Sequence, residues 1–155
     1  MKTTRRDAGF PAASVRDLHI CTSVFVEAEG AESAYPQVPG APSSQRFQAA
    51  YWRCAVVLLA SSYRQQPTAQ HILFTNAEAV PQVDGIDVNQ LLQRLGVEIA
   101  PIPFTFAPPP HHYPAWRGCF YKFDVLHALA ARLDPGHAAL FLDADCVFVA
   151  SADAI

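Results

Sequence analysis

The chain has no long apolar run: its longest stretch in a helical pattern, Cys54-Ala55-Val56-Val57-Leu58-Leu59-Ala60, falls far below the ~20 residues that cross a bilayer. It has no Lys/Arg stripe, and its net charge is -3 over 155 residues, which leaves no electrostatic footprint for nucleic acid. No C-x-x-C pair occurs among its four cysteines, Cys21, Cys54, Cys119 and Cys146, and none of their spacings is that of a zinc site. Each lies in an apolar segment, where free Cys behaves as a small hydrophobe, so all four are expected as reduced core residues. No H-E-x-x-H or other ligand spacing appears among the six histidines; His111-His112 is the one cluster, and its Pro-rich setting reads as an exposed loop. The N-terminal Met1-Lys2-Thr3-Thr4-Arg5-Arg6-Asp7 carries the charges of a signal peptide with no apolar region behind them. A cytoplasmic, soluble protein with no transmembrane segment and no nucleic-acid partner is therefore expected.

What is present is a core. Hydrophobic residues make up 51% and charged residues 16%, a balance that argues for a compact fold and against disorder. The length suits one domain, with residues 1–16, which lack periodicity, expected as a flexible lead-in. Leu18 to Val26 is β-branched and apolar and reads as a first strand. Glu27 to Ser44, rich in Gly, Pro, Ala and Ser, reads as a long loop of the kind that is usually functional or disordered. A helix is expected from about Gln45 to Arg64, capped by Ser43 or Ser44 and closed by Pro67. Its inner stripe is Phe47, Tyr51, Cys54, Val57 and Leu58, widened by Val56, Leu59 and Ala60.

His71 to Asn76 reads as a second strand, Val88 to Leu95 as a second helix stopped by Gly96, and Val97 to Ile102 as a third strand. Pro103 to Arg117 is a Pro-studded aromatic loop in which Pro108-Pro109-Pro110 is expected in polyproline II conformation. A third helix, about Cys119 to Leu133, turns Phe123, Leu126, His127, Leu129 and Ala130 inward, and Asp134-Pro135-Gly136 ends it. The β-α-β-α-β-α-β order with apolar strands predicts an α/β fold, a three-layer Rossmann-like parallel sheet with helices on both faces.

The fourth strand, Ala138-Ala139-Leu140-Phe141-Leu142, runs into Asp143-Ala144-Asp145, and the apolar run resumes as Cys146-Val147-Phe148-Val149. Because side chains in a strand alternate faces, Asp143 and Asp145 are expected on one side and the small Ala144 on the other, the pair interrupting an apolar segment and not sitting on a solvated loop. An N-cap or turn carboxylate at a strand end is the alternative. Two same-side carboxylates at a dry strand end suit one hard divalent cation, which takes oxygen ligands and shares them with phosphate. In parallel sheets ligands gather at the carboxyl ends of the strands. Those ends carry Thr22 and Ser23, then Asn76, then the 103–117 loop, then the acidic pair.

On these residues the chain resembles the GT-A type nucleotide-diphospho-sugar transferases, particularly the retaining, DxD-containing group with an "LDADxxV" strand after a lysine-bearing helix. Tyr121-Lys122-Phe123-Asp124-Val125-Leu126, a helix, and Leu140-Phe141-Leu142-Asp143-Ala144-Asp145-Cys146-Val147 carry the likeness. The resemblance implies a domain over 17–155 that binds a nucleotide-sugar (a UDP-sugar first) and transfers a hexosyl group to an acceptor it does not name. It implies Mn²⁺ or Mg²⁺ on Asp145 directly, with Asp143 contacting the ribose, the metal or both and Ala144 between them in the donor site. Arg117 and Lys122 would lie near the donor, where a cation pairs with phosphate or sugar oxygens. Asp124 would contact the sugar, or else lie on a solvated face. Thr22, Ser23 and Asn76 would match the nucleoside pocket by location. His111, His112, Tyr113 and Trp116 would cover the donor or pack their own loop.

In this family a second half follows the DxD strand with the acceptor site and a further histidine for the metal. The chain is expected to be the donor-binding half of a longer protein or a truncated reading frame, with self-association through an exposed sheet edge. Two alternatives stay open. Asp143 to Val147 also fits the D-x-D-x-[TV] pattern of haloacid-dehalogenase-type phosphatases, in which the first Asp is the nucleophile and the second a general acid. A non-catalytic nucleotide-binding or interaction module is the other.

Overall fold

The computed structural model describes residues 18–35, 40–109 and 111–151. The expected lead-in over 1–16, Pro110 of the proline run and residues 152–155 lie outside the described residues. In chain order the elements are β1 (Leu18–Val24), α1 (Gln45–Gln65), β2 (Gln70–Thr75), the two-residue strands β3 (Gln82–Val83) and β4 (Ile86–Asp87), α2 (Val88–Arg94), β5 (Glu98–Pro101), α3 (Tyr121–Ala130) and β6 (Ala138–Phe141). One 3-10 turn, Arg117–Phe120, leads into α3. That turn occupies the first residues of the expected third helix. The β3–β4 hairpin was not expected, although Asp84-Gly85 between its strands, both at positive φ, is a strong local hairpin signal.

Ser44 caps α1 as expected, its hydroxyl accepting from Phe47 N–H at 3.3 Å, and Asp87 caps α2 by accepting from Gln90 N–H at 2.9 Å. Four strands form one parallel sheet in the order β5-β2-β1-β6. β1 is central: His19 to Val24 face Gln70 to Thr75 of β2, and Leu18 to Cys21 face Ala138 to Phe141 of β6. Among the described strands β5 and β6 are the edges.

Strand alternation sorts the core into two layers. Leu73 and Val24 pack with Trp52, Ala55 and Leu59 of α1 and Val88 and Leu92 of α2. Ile72, Phe74 and Cys21 pack on the other face with Tyr121, Val125 and Leu129 of α3. The chain steps outward from β1 to β2 to β5, then returns past β1 to β6. With right-handed crossovers, reversing that direction puts the returning helix on the opposite face, as α3 is. The reversal also opens a crevice between the carboxyl ends of β1 and β6, where adjacent connections leave in opposite directions.

Two helix stripes differ from expectation. α1 buries Trp52, Ala55, Leu58, Leu59 and Ser62, so of the five residues assigned to its inner stripe only Leu58 is buried, and Val57 is 51% exposed. The helix carries two adjacent apolar stripes, and the one with Phe47, Tyr51 and Cys54 turns toward the crevice. α3 buries Tyr121, Asp124, Val125 and Leu129, while Phe123 and Leu126 are 53% and 47% exposed. Two polar tethers set that rotation: the Tyr121 hydroxyl donates to Ile102 C=O at 3.1 Å, and Asp124 holds the backbone of Thr105 and Phe106.

All four cysteines are free as expected, but only Cys21 is a buried core residue. Cys54 and Cys146 are half-buried and Cys119 is exposed. Among the described residues no helix is long and apolar enough to cross a membrane.

Candidate functional site

The end of β6 differs from a continuing strand. β6 stops at Phe141, and Cys146 N–H donates to Asp143 C=O at 3.2 Å, closing a turn through Ala144 and Asp145. Both carboxylates are therefore exposed on a turn, and strand alternation does not govern their direction. Ala144 is the anchor, its methyl packed against the α1-side core.

The turn is held from two sides. Leu142 N–H donates to Cys21 C=O at 2.9 Å, and the Thr22 hydroxyl donates to Leu142 C=O, also at 2.9 Å. Beyond the turn, Phe148 N–H donates to the Ser61 hydroxyl at 3.1 Å and Gln66 Nε2 to the Ser151 hydroxyl at 2.6 Å. The segment after the acidic pair thus runs back along α1. It is not a core strand, since Val147 and Val149 are 55% and 88% exposed.

A cleft of about 340 Å³ opens at this point. Ser23, Phe25 and Glu27 line it from the end of β1 and beyond, Phe47, Tyr51 and Cys54 from α1, and Trp116, Gly118, Cys119 and Lys122 from the approach to α3. Asp143, Ala144 and Asp145 complete it. Lys122 Nζ meets Asp143 Oδ1 at 2.5 Å, with the two side chains 43% and 58% exposed.

Aromatic rings form a connected arc within the same cleft. Trp116 meets Tyr35 edge-on at 5.1 Å, Tyr35 stacks with Phe47 at 5.9 Å, and Phe47 meets Tyr51 at 5.4 Å. Burial raises the Tyr51 and Tyr35 hydroxyls above their ordinary value, so both stay protonated donors. The Tyr35 hydroxyl donates to Glu27 Oε1 at 3.1 Å, and Glu27 Oε2 accepts from Ser33 N–H at 3.2 Å.

The 27–35 segment is pinned to the approach to α3. Ala34 N–H donates to Pro114 C=O, Trp116 N–H to Ala34 C=O, and Gly118 N–H to the Ser33 hydroxyl at 2.7 Å. Gly118 is required by the close approach: a Cβ there would lie 2.6 Å from Glu27 Oε1 and 2.8 Å from both Phe25 Cδ1 and the Tyr35 hydroxyl. Cys119, beside Lys122, has its thiol raised by burial despite the opposing pull of the lysine.

Of the residues singled out from sequence, the cleft gathers Ser23, Lys122, Asp143, Ala144, Asp145 and Trp116. Thr22 holds the turn from beneath and is fully buried. Asn76 clamps Val26, its Oδ1 accepting from Val26 N–H at 2.7 Å and its Nδ2 donating to Val26 C=O at 2.9 Å. Arg117 donates to Pro108 C=O at 3.1 Å and lies over the Phe104 ring. Asp124 is buried against the 105–106 backbone and lies on no solvated face. None of these four lines the cleft. The His111 and His112 rings meet at a tilt, and Tyr113 meets Phe120, away from the cleft lining.

Glu27, Tyr35, Phe47 and Tyr51 were missed as site residues. The available signal was the second apolar stripe of α1, one more than a single sheet face needs. Nothing local marks Glu27, whose place in the cleft depends on contacts with Ser33, Tyr35 and Gly118. Among the described residues no group of three or more His, Cys, Asp or Glu side chains converges to hold a metal ion. Asp143 and Asp145 offer two hard oxygen donors, which suits Mg²⁺ or Mn²⁺ only where a ligand and water complete the shell.

No protein-family model matches the chain, and neither a curated protein nor a solved structure matches it. What the fold and cleft define is an α/β protein with a four-stranded parallel sheet flanked by helices and an aromatic, acidic cleft at the sheet's carboxyl edge.

Proposed function

We propose that this chain binds a nucleoside-diphospho-sugar as the donor part of a GT-A type hexosyltransferase, with UDP-sugar as the first donor to test. The observation that carries the reading is the conjunction, in one cleft, of an aromatic arc with Lys122 and the Asp143/Asp145 pair. A planar base gains from aromatic faces, and a diphosphate needs cationic partners. The strand order β5-β2-β1-β6 supports a Rossmann-like arrangement, since it places the crevice where doubly wound sheets take nucleotides.

In this reading Trp116, Tyr35, Phe47 and Tyr51 offer the base its stacking surface, and Asp143 with Asp145 hold Mn²⁺ or Mg²⁺. The two carboxylates would give a hard cation two oxygen ligands, the rest of its shell being left to ligand and water. The chemistry such an ion would supply there is Lewis-acid stabilisation of diphosphate charge. Lys122 supplies a further positive charge from the first turn of α3. Thr22 ties the acidic turn to β1, and Ser61 ties the segment beyond it to α1.

The test is thermal unfolding with Mn²⁺, with and without UDP. Ligands that bind only the folded state raise its stability in proportion to the logarithm of their concentration over Kd. Wild type is expected to gain with Mn²⁺, and to gain more with Mn²⁺ and UDP together, while Asp145→Ala gains from neither. Equal Mn²⁺ stabilisation of both proteins would refute the site.

A further inference from the structure

The Lys122–Asp143 contact carries an inference about how the cleft fills, which rests on the metal-and-nucleotide reading above. Asp143 has an ammonium at 2.5 Å, whereas Asp145, two residues on and in the same cleft, has no ion pair among the described residues. The pair of carboxylates thus keeps one uncompensated negative charge, and the lysine compensates the other. Both partners are about half exposed, at 43% and 58%, so their attraction is weak and easily exchanged. The backbone of Lys122 is fixed by its buried neighbour Tyr121, but its head is a point charge on a flexible four-carbon stem.

We propose that Lys122 is a built-in competitor for the cation site. Its ammonium serves as the counter-ion of Asp143, and it leaves Asp143 for the diphosphate when cation and nucleotide enter together. Like charges at ion-pair range repel, so an ammonium and a dication on one carboxylate raise each other's energy. A diphosphate removes that conflict by giving the lysine a better partner, one that forms charge-assisted hydrogen bonds. Lys122 therefore weakens binding of the cation alone and strengthens binding of the two ligands together. That makes it a residue of opposite sign in two measurements, which a lysine that merely orients Asp143 is not.

The experiment titrates Mn²⁺ into wild type, Lys122→Met and Asp145→Asn, reading free Mn²⁺ by electron paramagnetic resonance, then repeats the titration with UDP at saturating Mn²⁺ by calorimetry. Lys122→Met is expected to bind Mn²⁺ alone about two- to five-fold more tightly than wild type and UDP at saturating Mn²⁺ about ten-fold or more weakly. Asp145→Asn, which keeps the lysine pair, is expected to lose Mn²⁺ binding. If wild type binds Mn²⁺ and Lys122→Met binds it equally or more weakly, the exchange is refuted and the metal reading stands. If wild type binds no Mn²⁺, the metal reading itself falls and the exchange falls with it. Lys122 is half exposed, so its replacement leaves the core intact, and Lys122→Gln repeats the test with a polar head.

Discussion

Asp124 holds Thr105 by both its backbone and its side chain: the Thr105 N–H reaches the two carboxylate oxygens at 3.1 and 3.0 Å, and its hydroxyl also donates to Oδ1. Phe106 N–H adds a further bond at 3.2 Å. A helix residue on α3 thereby carries the backbone of the loop that follows β5, and the loop in turn fixes which face of α3 is inward. The carboxylate is buried, and its hydrogen-bonding capacity is turned to the protein's own backbone.

Asp124→Ala is therefore expected to lower folding stability by about 2–3 kcal/mol, the cost of losing hydrogen bonds to a charged acceptor. Asp124→Asn, which keeps one acceptor oxygen, should lose less. Urea unfolding at neutral pH measures both. A variant as stable as wild type but weaker for UDP would return Asp124 to the ligand site.

Gly118→Ala tests the close approach behind the cleft. The added methyl meets Glu27, Phe25 and Tyr35 within 2.8 Å, and overpacking of this kind costs about 1–3 kcal/mol. The relief available is to push Glu27 and Tyr35 toward the cleft, so nucleotide affinity should fall along with the denaturation midpoint. Unchanged stability would mean that the 27–35 segment yields freely.

Alkaline pH should destabilise the fold through Cys21. Burial raises its thiol from the ordinary 9.0 to about 12, with Arg132 opposing and Glu98 adding to the effect. The folded state holds a proton that the unfolded chain releases, so this contribution is complete below 9.0 and is lost as pH rises toward 12. Tyr121 and Tyr35, also raised by burial, act in the same direction. Urea midpoints at pH 8 and pH 10.5 should separate more for wild type than for Cys21→Ala. Equal separations would show that the thiol is not the titrating group.

The alternation of apolar strands with helical segments was enough to read the four-stranded parallel sheet, because each of its strands is an apolar run set apart by a helix-period segment. Gly96 after α2 and Ser44 before α1 were also readable, since caps depend on local chemistry. Helix rotation was not. In α1, Phe47-Tyr51-Cys54 and Trp52-Ala55-Leu59 are both apolar stripes, and only the packed sheet decides which one is core. In α3, a buried carboxylate at Asp124 reverses what hydropathy suggests for Phe123 and Leu126. The acidic pair was found but its setting was misread, because apolar residues on both sides of a motif look the same whether the strand continues or turns. Glu27 needed long-range contacts and left no local trace.

Leu142 gives the acidic turn its place in time as well as in space. Its N–H and C=O are both bonded to β1, through Cys21 and Thr22, two fully buried residues of the central strand. Opening this segment breaks both bonds to the central strand, which couples its local stability to that of β1. The two exposed carboxylates next to it are thus rooted in the central strand through Thr22, and a change beneath them at Thr22 would be felt at the cleft as a loss of stiffness with no change of charge.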